Sequence, residues 1–255
     1  MERLAIIRFA FVSWFRVRGA IFGPYFFIVM MMLIEGSFWN SISGDGGVGG
    51  YSANSILFYS FSALVFFQIT SSSGDPDNLS GNIESGRLDS FLVKPCSYFY
   101  QMCSLQLGQV LARFVCFFPF LALISFFLRP EAISFLMPSL LLGLAAGILN
   151  FLINHCISVM TFHLRESQAL LGWKETLFWI LSGTLVPLDF FPQVFREMLI
   201  YFPPAYVVYY PVQFLMGKVS LFQVLFFQIL FISVVYMIFE VSWSHGLKKY
   251  QAYGG

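Results

Sequence analysis

The side chains that could do chemistry in this sequence are few, and they sit in unusual surroundings. Glu35, Arg113, His155, Lys174, Glu175 and Glu240 all interrupt long apolar stretches, where an ionisable group is a functional candidate by default. Position offers most of them a simpler role. Arg113, Lys174 and Glu240 lie within about two turns of the inner end of their stretches, from which a long side chain can snorkel to water, and Glu35 lies near the outer end of its own. His155 is expected to hydrogen-bond to a neighbouring helix. Glu175, beside Lys174, is expected to face another protein surface. What remains does not assemble into a catalyst. HExxH, Walker A and GxSxG motifs are missing, and His155 and His163 have no carboxylate to orient them. Asp75 and Asp77 lack the basic and glycine companions of a lipid-processing membrane enzyme. Cys96, Cys103, Cys116 and Cys156 show no C-x-x-C spacing and read as small apolar residues. No catalytic, cofactor-binding or metal-binding residue is expected on this chain.

The elements that must carry these groups follow from composition. Of 255 residues, 58% are hydrophobic and 11% charged, about half the charge of a water-soluble chain. A net charge of +1 leaves no basic field for nucleic acid. The lipid bilayer is the first expected partner. Helices of about 20 apolar residues cross its core, and six such stretches can be traced: Ala20 to Trp39, Tyr51 to Ser71, within Gln106 to Leu128, within Ile133 to Phe162, Ser167 to Val186, and Val219 to about Val241. Arg3, Arg8, Arg16, Arg18, Arg87, Lys94, Arg165, Lys174, Lys248 and Lys249 then share one side, with only Arg129, Arg196 and Lys218 on the other. The positive-inside rule orients the chain with both termini cytoplasmic. The first apolar segment has no small-residue cleavage site and is expected to stay in the chain.

Three segments lie outside the spans. Residues 1–19 interleave arginines with Phe9, Phe11, Trp14 and Phe15, which suits a helix lying at the inner membrane surface. The inner segment 83–94 places Leu88, Phe91 and Leu92 at helical spacing before Pro95; its apolar face must lie on the membrane or in a partner's groove. Asn78-Leu79-Ser80 matches a glycosylation sequon but falls on the inner side, so it is discarded. The outer segment 187–218 carries five of the eleven prolines among nine Phe and Tyr residues. That is too broken for a span and too apolar for a solvated loop, which predicts two short helices dipping back into the membrane. Gly19 and Gly23, like Gly143 and Gly147, have the GxxxG spacing of close helix contacts.

This order of parts resembles the type-2 permeases of ATP-binding-cassette exporters. The run Asn82 to Pro95, NIESGRLDSFLVKP, is similar to the family's inner I-x-x-G-x-L-x-x-x-L-x-K-P stretch. Ser182-Gly183, Val186-Pro187, Phe191-Pro192, Phe202-Pro203 to Pro211, Gly217-Lys218 and the tail Trp243 to Gly255 follow in the same order. The resemblance implies an all-α membrane protein: one permease domain over residues 1–255 with six transmembrane helices, an N-terminal interfacial helix, an inner coupling helix and an outer re-entrant hairpin. It implies that Ile83, Arg87, Leu88, Phe91, Leu92 and Lys94 couple to a cytoplasmic ATPase dimer, which would hold ATP and magnesium. Pro187, Phe191, Pro192, Tyr201, Pro203, Pro204, Tyr206 and Pro211 would form the outer gate. The first and fifth spans would pack against a second permease chain, identical or related, in a bacterial inner membrane, and a hydrophobic or amphipathic substrate would move outward. A secondary transporter would need two related halves, and no internal repeat is present.

Overall fold

The computed structural model describes residues 2–16, 18–43, 47, 49–71, 79–94, 96–162 and 167–249. Asp75, Asp77, Asn78, Pro95, His163, Arg165 and the tail from Tyr250 lie outside the described residues, as do the side chains of Arg3, Arg18 and Lys249.

Among the described residues the regular structure is helical: α1 (Glu2–Arg16), α2 (Arg18–Ser43), α3 (Ala53–Thr70), α4 (Leu79–Glu84), α5 (Leu88–Leu92), α6 (Tyr98–Leu128), α7 (Ile133–Ser158), α8 (Ser167–Leu181), α9 (Gln193–Ile200), α10 (Tyr209–Leu215) and α11 (Leu221–Lys249). Five of them contain stretches long and apolar enough to cross a bilayer, in α2, α3, α6, α7 and α11. The helix expected over Ser167 to Val186 is shorter. It has 15 residues, about 22 Å of rise against a core of about 30 Å. Its end is fixed by Gly183 at φ +77°. The Gly183 amide donates to Ile180 O (3.1 Å) and the Thr184 amide to Trp179 O (3.1 Å), the paired bonds of a Schellman cap. A Cβ at Gly183 would also stand 2.8 Å from Tyr59 Oη.

The core is centred on α3, 67% of which is buried, against 22% for the spanning windows of α2 and α11. Tyr59, Phe58 and Phe66 of α3 and Phe117 of α6 are fully enclosed. Small residues set how closely the helices approach. Gly147 of α7 lies against Val110 of α6, and Gly143 against Phe114 and Ile69, whereas Gly23 meets nothing within 4 Å. The GxxxG spacing in α7 thus makes a close helix contact, whereas the surroundings of Gly19 lie outside the described residues.

The N-terminal helix packs on the bundle: α1 runs lengthwise along α6 in the same chain direction. Gly108 of α6 receives the Ile7 carbonyl and the Ala10 methyl, and further up Trp14 meets Phe117 edge-on at 6.5 Å. Only glycine leaves room for a backbone carbonyl to rest on a helix this closely. The inner segment departs from expectation: a turn at Ser85–Arg87 divides it into α4 and α5, with Gly86 at positive φ.

Candidate functional site

The segment expected on the outer side folds as two short helices, α9 and α10, linked by a one-turn 3-10 helix at Pro203–Tyr206, and the two have different surroundings. On α9 and just after it, Val194, Phe195, Met198 and Tyr201 are exposed, whereas α10 buries Tyr209, Pro211, Val212, Gln213, Phe214 and Leu215. The expected gate residues divide accordingly. Pro192 and Tyr201 lie on the outside, Phe191 and Pro203 are half-buried, and Pro187, Pro204, Tyr206 and Pro211 belong to the core.

The hairpin is held by a polar hub centred on Asp189. Its carboxylate accepts from Tyr51 Oη, from Tyr209 Oη at 2.9 Å and from Gln213 Nε2 at 3.2 Å. Gln213 Nε2 also lies 2.8 Å from Tyr51 Oη, and Lys218 Nζ sits 3.9 Å above the Tyr51 ring. Three strands of the chain are thereby joined: the entry to α3, the turn before α9, and α10. Burial, then the charge of Asp189, pushes the Tyr209 phenol well up, so it remains a donor at neutral pH. Partial burial draws the Lys218 ammonium down, with Asp189 pulling the other way. Tyr59 Oη donates to Gly183 O at 2.7 Å, and Gln228 of α11 donates to Tyr206 O (2.9 Å) and Leu142 O (3.2 Å). These bonds fasten both ends of the hairpin to the bundle. The sequence reading missed Asp189, Tyr51, Tyr209, Gln213 and Gln228. Its available signal was a lone carboxylate, Asp189, set among Pro187, Leu188 and Phe190.

The segment expected on the inner side, α4 and α5, forms a bracket with one face turned into the bundle. Leu79, Ser80, Asn82, Ile83 and Leu88 are buried within the chain, and Phe91 packs edge-on against Tyr98 at 5.5 Å. Lys94 Nζ lies 4.4 Å over the Phe91 ring. The apolar residues turned outward are Leu92 and Val93, the latter 86% exposed; Arg87 is exposed as well. Of the six expected coupling residues, Ile83 and Leu88 therefore anchor the bracket, while Arg87, Leu92 and Lys94 are on its surface.

The intramembrane charges take unexpected roles. Lys174 does not snorkel. It is buried, with Nζ 3.0 Å from Asn150 Oδ1, 2.9 Å from Glu175 Oε1 and 4.2 Å over the Phe178 ring. Asn150 Nδ2 in turn donates to Thr70 O at 2.9 Å, so a polar chain links α8 through α7 to the end of α3. Glu175 keeps a quarter of its side chain exposed (27%). Glu35 is buried within the chain, and neither carboxylate oxygen has a hydrogen-bond partner among the described residues. Arg113 Nη2 donates to Gln109 Oε1 at 3.1 Å. His155 bonds within its own helix, to Phe151 O at 3.0 Å, and not to a neighbour among the described residues. No group of three or more His, Cys, Asp or Glu side chains capable of holding a metal occurs among the described residues.

Among curated proteins, none matches this sequence. The family model described as "ABC-2 family transporter protein" matches residues 26–254, which takes in α3 to α11, the inner bracket and the hub. The chain therefore belongs to the ABC-2 family of membrane transporters.

Proposed function

We propose that this chain is the membrane-spanning subunit of an ABC exporter, paired with a second permease and driven by a separate cytoplasmic ATPase dimer that holds ATP and magnesium. Family membership supports the transporter part. The observation that carries the mechanism is the build of the inner bracket, with Ile83 and Leu88 locked into the bundle while Leu92 and Val93 face out. A lever needs both properties: a tip that enters a partner's groove, and a root that cannot move without moving the helices above it.

Closure of the ATPase pair pushes Leu92 and Val93. The displacement passes through Leu88, Ile83 and the buried Ser80, whose hydroxyl accepts from Thr161 Oγ1 at 3.2 Å, into the 3-10 turn Val159–Phe162 that continues α7. At the outer end the Asp189 hub is the closed state of the gate, and releasing it lets α9 and α10 move as a rigid piece. The exposed apolar face of α2 (Phe22, Phe26, Leu33, Phe38) and that of α8 (Trp173, Leu177, Ile180) meet the second permease. An apolar path between two such faces suits a hydrophobic or amphipathic substrate moving outward across a bacterial inner membrane, with both termini cytoplasmic.

Val93→Glu tests the proposal. A charge at the tip of a desolvated contact costs about 2 kcal/mol or more, which weakens co-elution with the cognate ATPase about thirtyfold without altering membrane insertion. Undiminished ATPase association and transport in this variant would remove the bracket from the coupling path.

A further inference from the structure

At the inner end of the molecule an open groove of about 340 Å³ runs between α1 (Ala5, Phe9), the inner bracket (Phe91, Lys94) and the first turns of α6 (Met102, Leu105). Its walls are apolar, and its one charge is the Lys94 ammonium. Gln101, which also borders it, has its amide engaged by Cys96 O at 2.9 Å. Lys94 faces the groove with no carboxylate partner among the described residues.

Depth decides what can reach it. With 31 residues, α6 is about 46 Å long, whereas about 20 residues fill the bilayer core. Counted inward from Leu128, the core ends near Gly108, which places Gln101 to Leu105 at the level of the inner headgroups. The groove opens beside Leu4 and Phe9 of α1, 74% and 63% exposed, an apolar rim that faces acyl chains. Arg8, next to Phe9, is exposed on the same helix. An apolar slot bordered by cations at headgroup depth is complementary to one kind of molecule, a lipid with an anionic head. Its volume lies within the range of small-molecule sites.

We propose that this groove is a binding site for an anionic phospholipid of the inner leaflet, with its phosphate on Lys94 and the upper part of an acyl chain between α1 and α6. The bound lipid fills the gap between the N-terminal helix and the bracket, so α1 and the bracket share a wall that the membrane supplies. The proposal rests on the inward orientation of the bracket but not on the identity of the transported substrate.

The full chain is reconstituted in nanodiscs of phosphatidylcholine with a minor fraction of phosphatidylglycerol, released, and weighed by native mass spectrometry. Wild type is expected to retain one phosphatidylglycerol per chain. Lys94→Gln should lower retention about fivefold, Lys94→Arg should keep it, and Ala5→Trp, which fills the groove, should abolish it. Lys248→Gln, an exposed charge elsewhere, should leave it unchanged. Equal retention of the two lipids by wild type, or wild-type retention in both Lys94→Gln and Ala5→Trp, overturns the proposal. So does an Ala5→Trp variant that keeps its lipid but loses the ATPase, since the groove would then belong to a protein. Orientation is read separately, by labelling Ser90→Cys in a Cys96→Ser background with an impermeant maleimide. Labelling from the outside refutes the orientation, whatever the lipid result.

Discussion

Replacing Asp189 with Ala should release the outer hairpin. The carboxylate accepts from Tyr51, Tyr209 and Gln213, and hydrogen bonds to a charged group contribute about 1.5–3 kcal/mol each. Two partners retain something without it. Gln213 still reaches Tyr51 Oη, and relaxation or water recovers part of the rest. Stranding the Tyr209 phenol alone costs about 1–3 kcal/mol, so a net loss of about 3 kcal/mol for the closed hairpin is a conservative sum. At 1.4 kcal/mol per factor of ten, the open population rises by about two orders of magnitude. Ala205 is fully buried in the turn between α9 and α10, so an Ala205→Cys reporter reacts with an impermeant thiol reagent only when the hairpin opens. Labelling from the outer side should be about a hundredfold faster with Asp189→Ala than with Asp189. Asp189→Asn keeps an acceptor but loses the charge assistance, and should be about tenfold faster. Identical labelling rates in the three proteins, each monodisperse after purification, would refute the hub as the bond that keeps the gate shut.

Other outcomes follow from the same contacts. Asn150→Ala removes the bond to Thr70 O and one of the two acceptors of Lys174, which keeps Glu175, at a cost of about 1–3 kcal/mol; the thermal unfolding midpoint in detergent should fall measurably. Gly108→Leu drives a side chain into the Ile7 carbonyl and Ala10, which should displace α1 and expose the chain at Arg8 to trypsin. Tyr201 is 73% exposed and Tyr206 3%, so of these two positions Tyr201→Cys should form a disulfide between paired permeases. Transport should stop on oxidation and return on reduction, and a cross-linked pair that still transports would dissociate the hairpin from gating.

The two helices of the outer segment were legible because proline acts locally: Pro192, Pro203 and Pro204 limit where a helix can run whatever surrounds them. The Asp189 hub was not, since its bond to Tyr51 joins residues 138 positions apart, and nothing in either stretch marks the other. Lys174 was misread for a related reason. Distance to the nearest water decides whether a lysine snorkels, but here Asn150, 24 positions away, offered a nearer partner. The bracket's spacing of Leu88, Phe91 and Leu92 announced an apolar face without saying whether it pointed into the chain or out of it.

The sequence by itself determined the solvent, five of the six expected spans and the family resemblance, because hydrophobic length, charge bias and proline placement are properties of consecutive residues. Tertiary structure decided the facing of each helix, the lengthwise seat of α1 on Gly108, the outward turn of Leu92 and Val93, and the closure of the hairpin on Asp189. The physical reason is that helices apolar on nearly every side carry little information about which side meets a neighbour. That choice falls to the few glycines that permit close approach and the few polar groups that must find partners away from water, and both are satisfied only when the whole bundle is assembled.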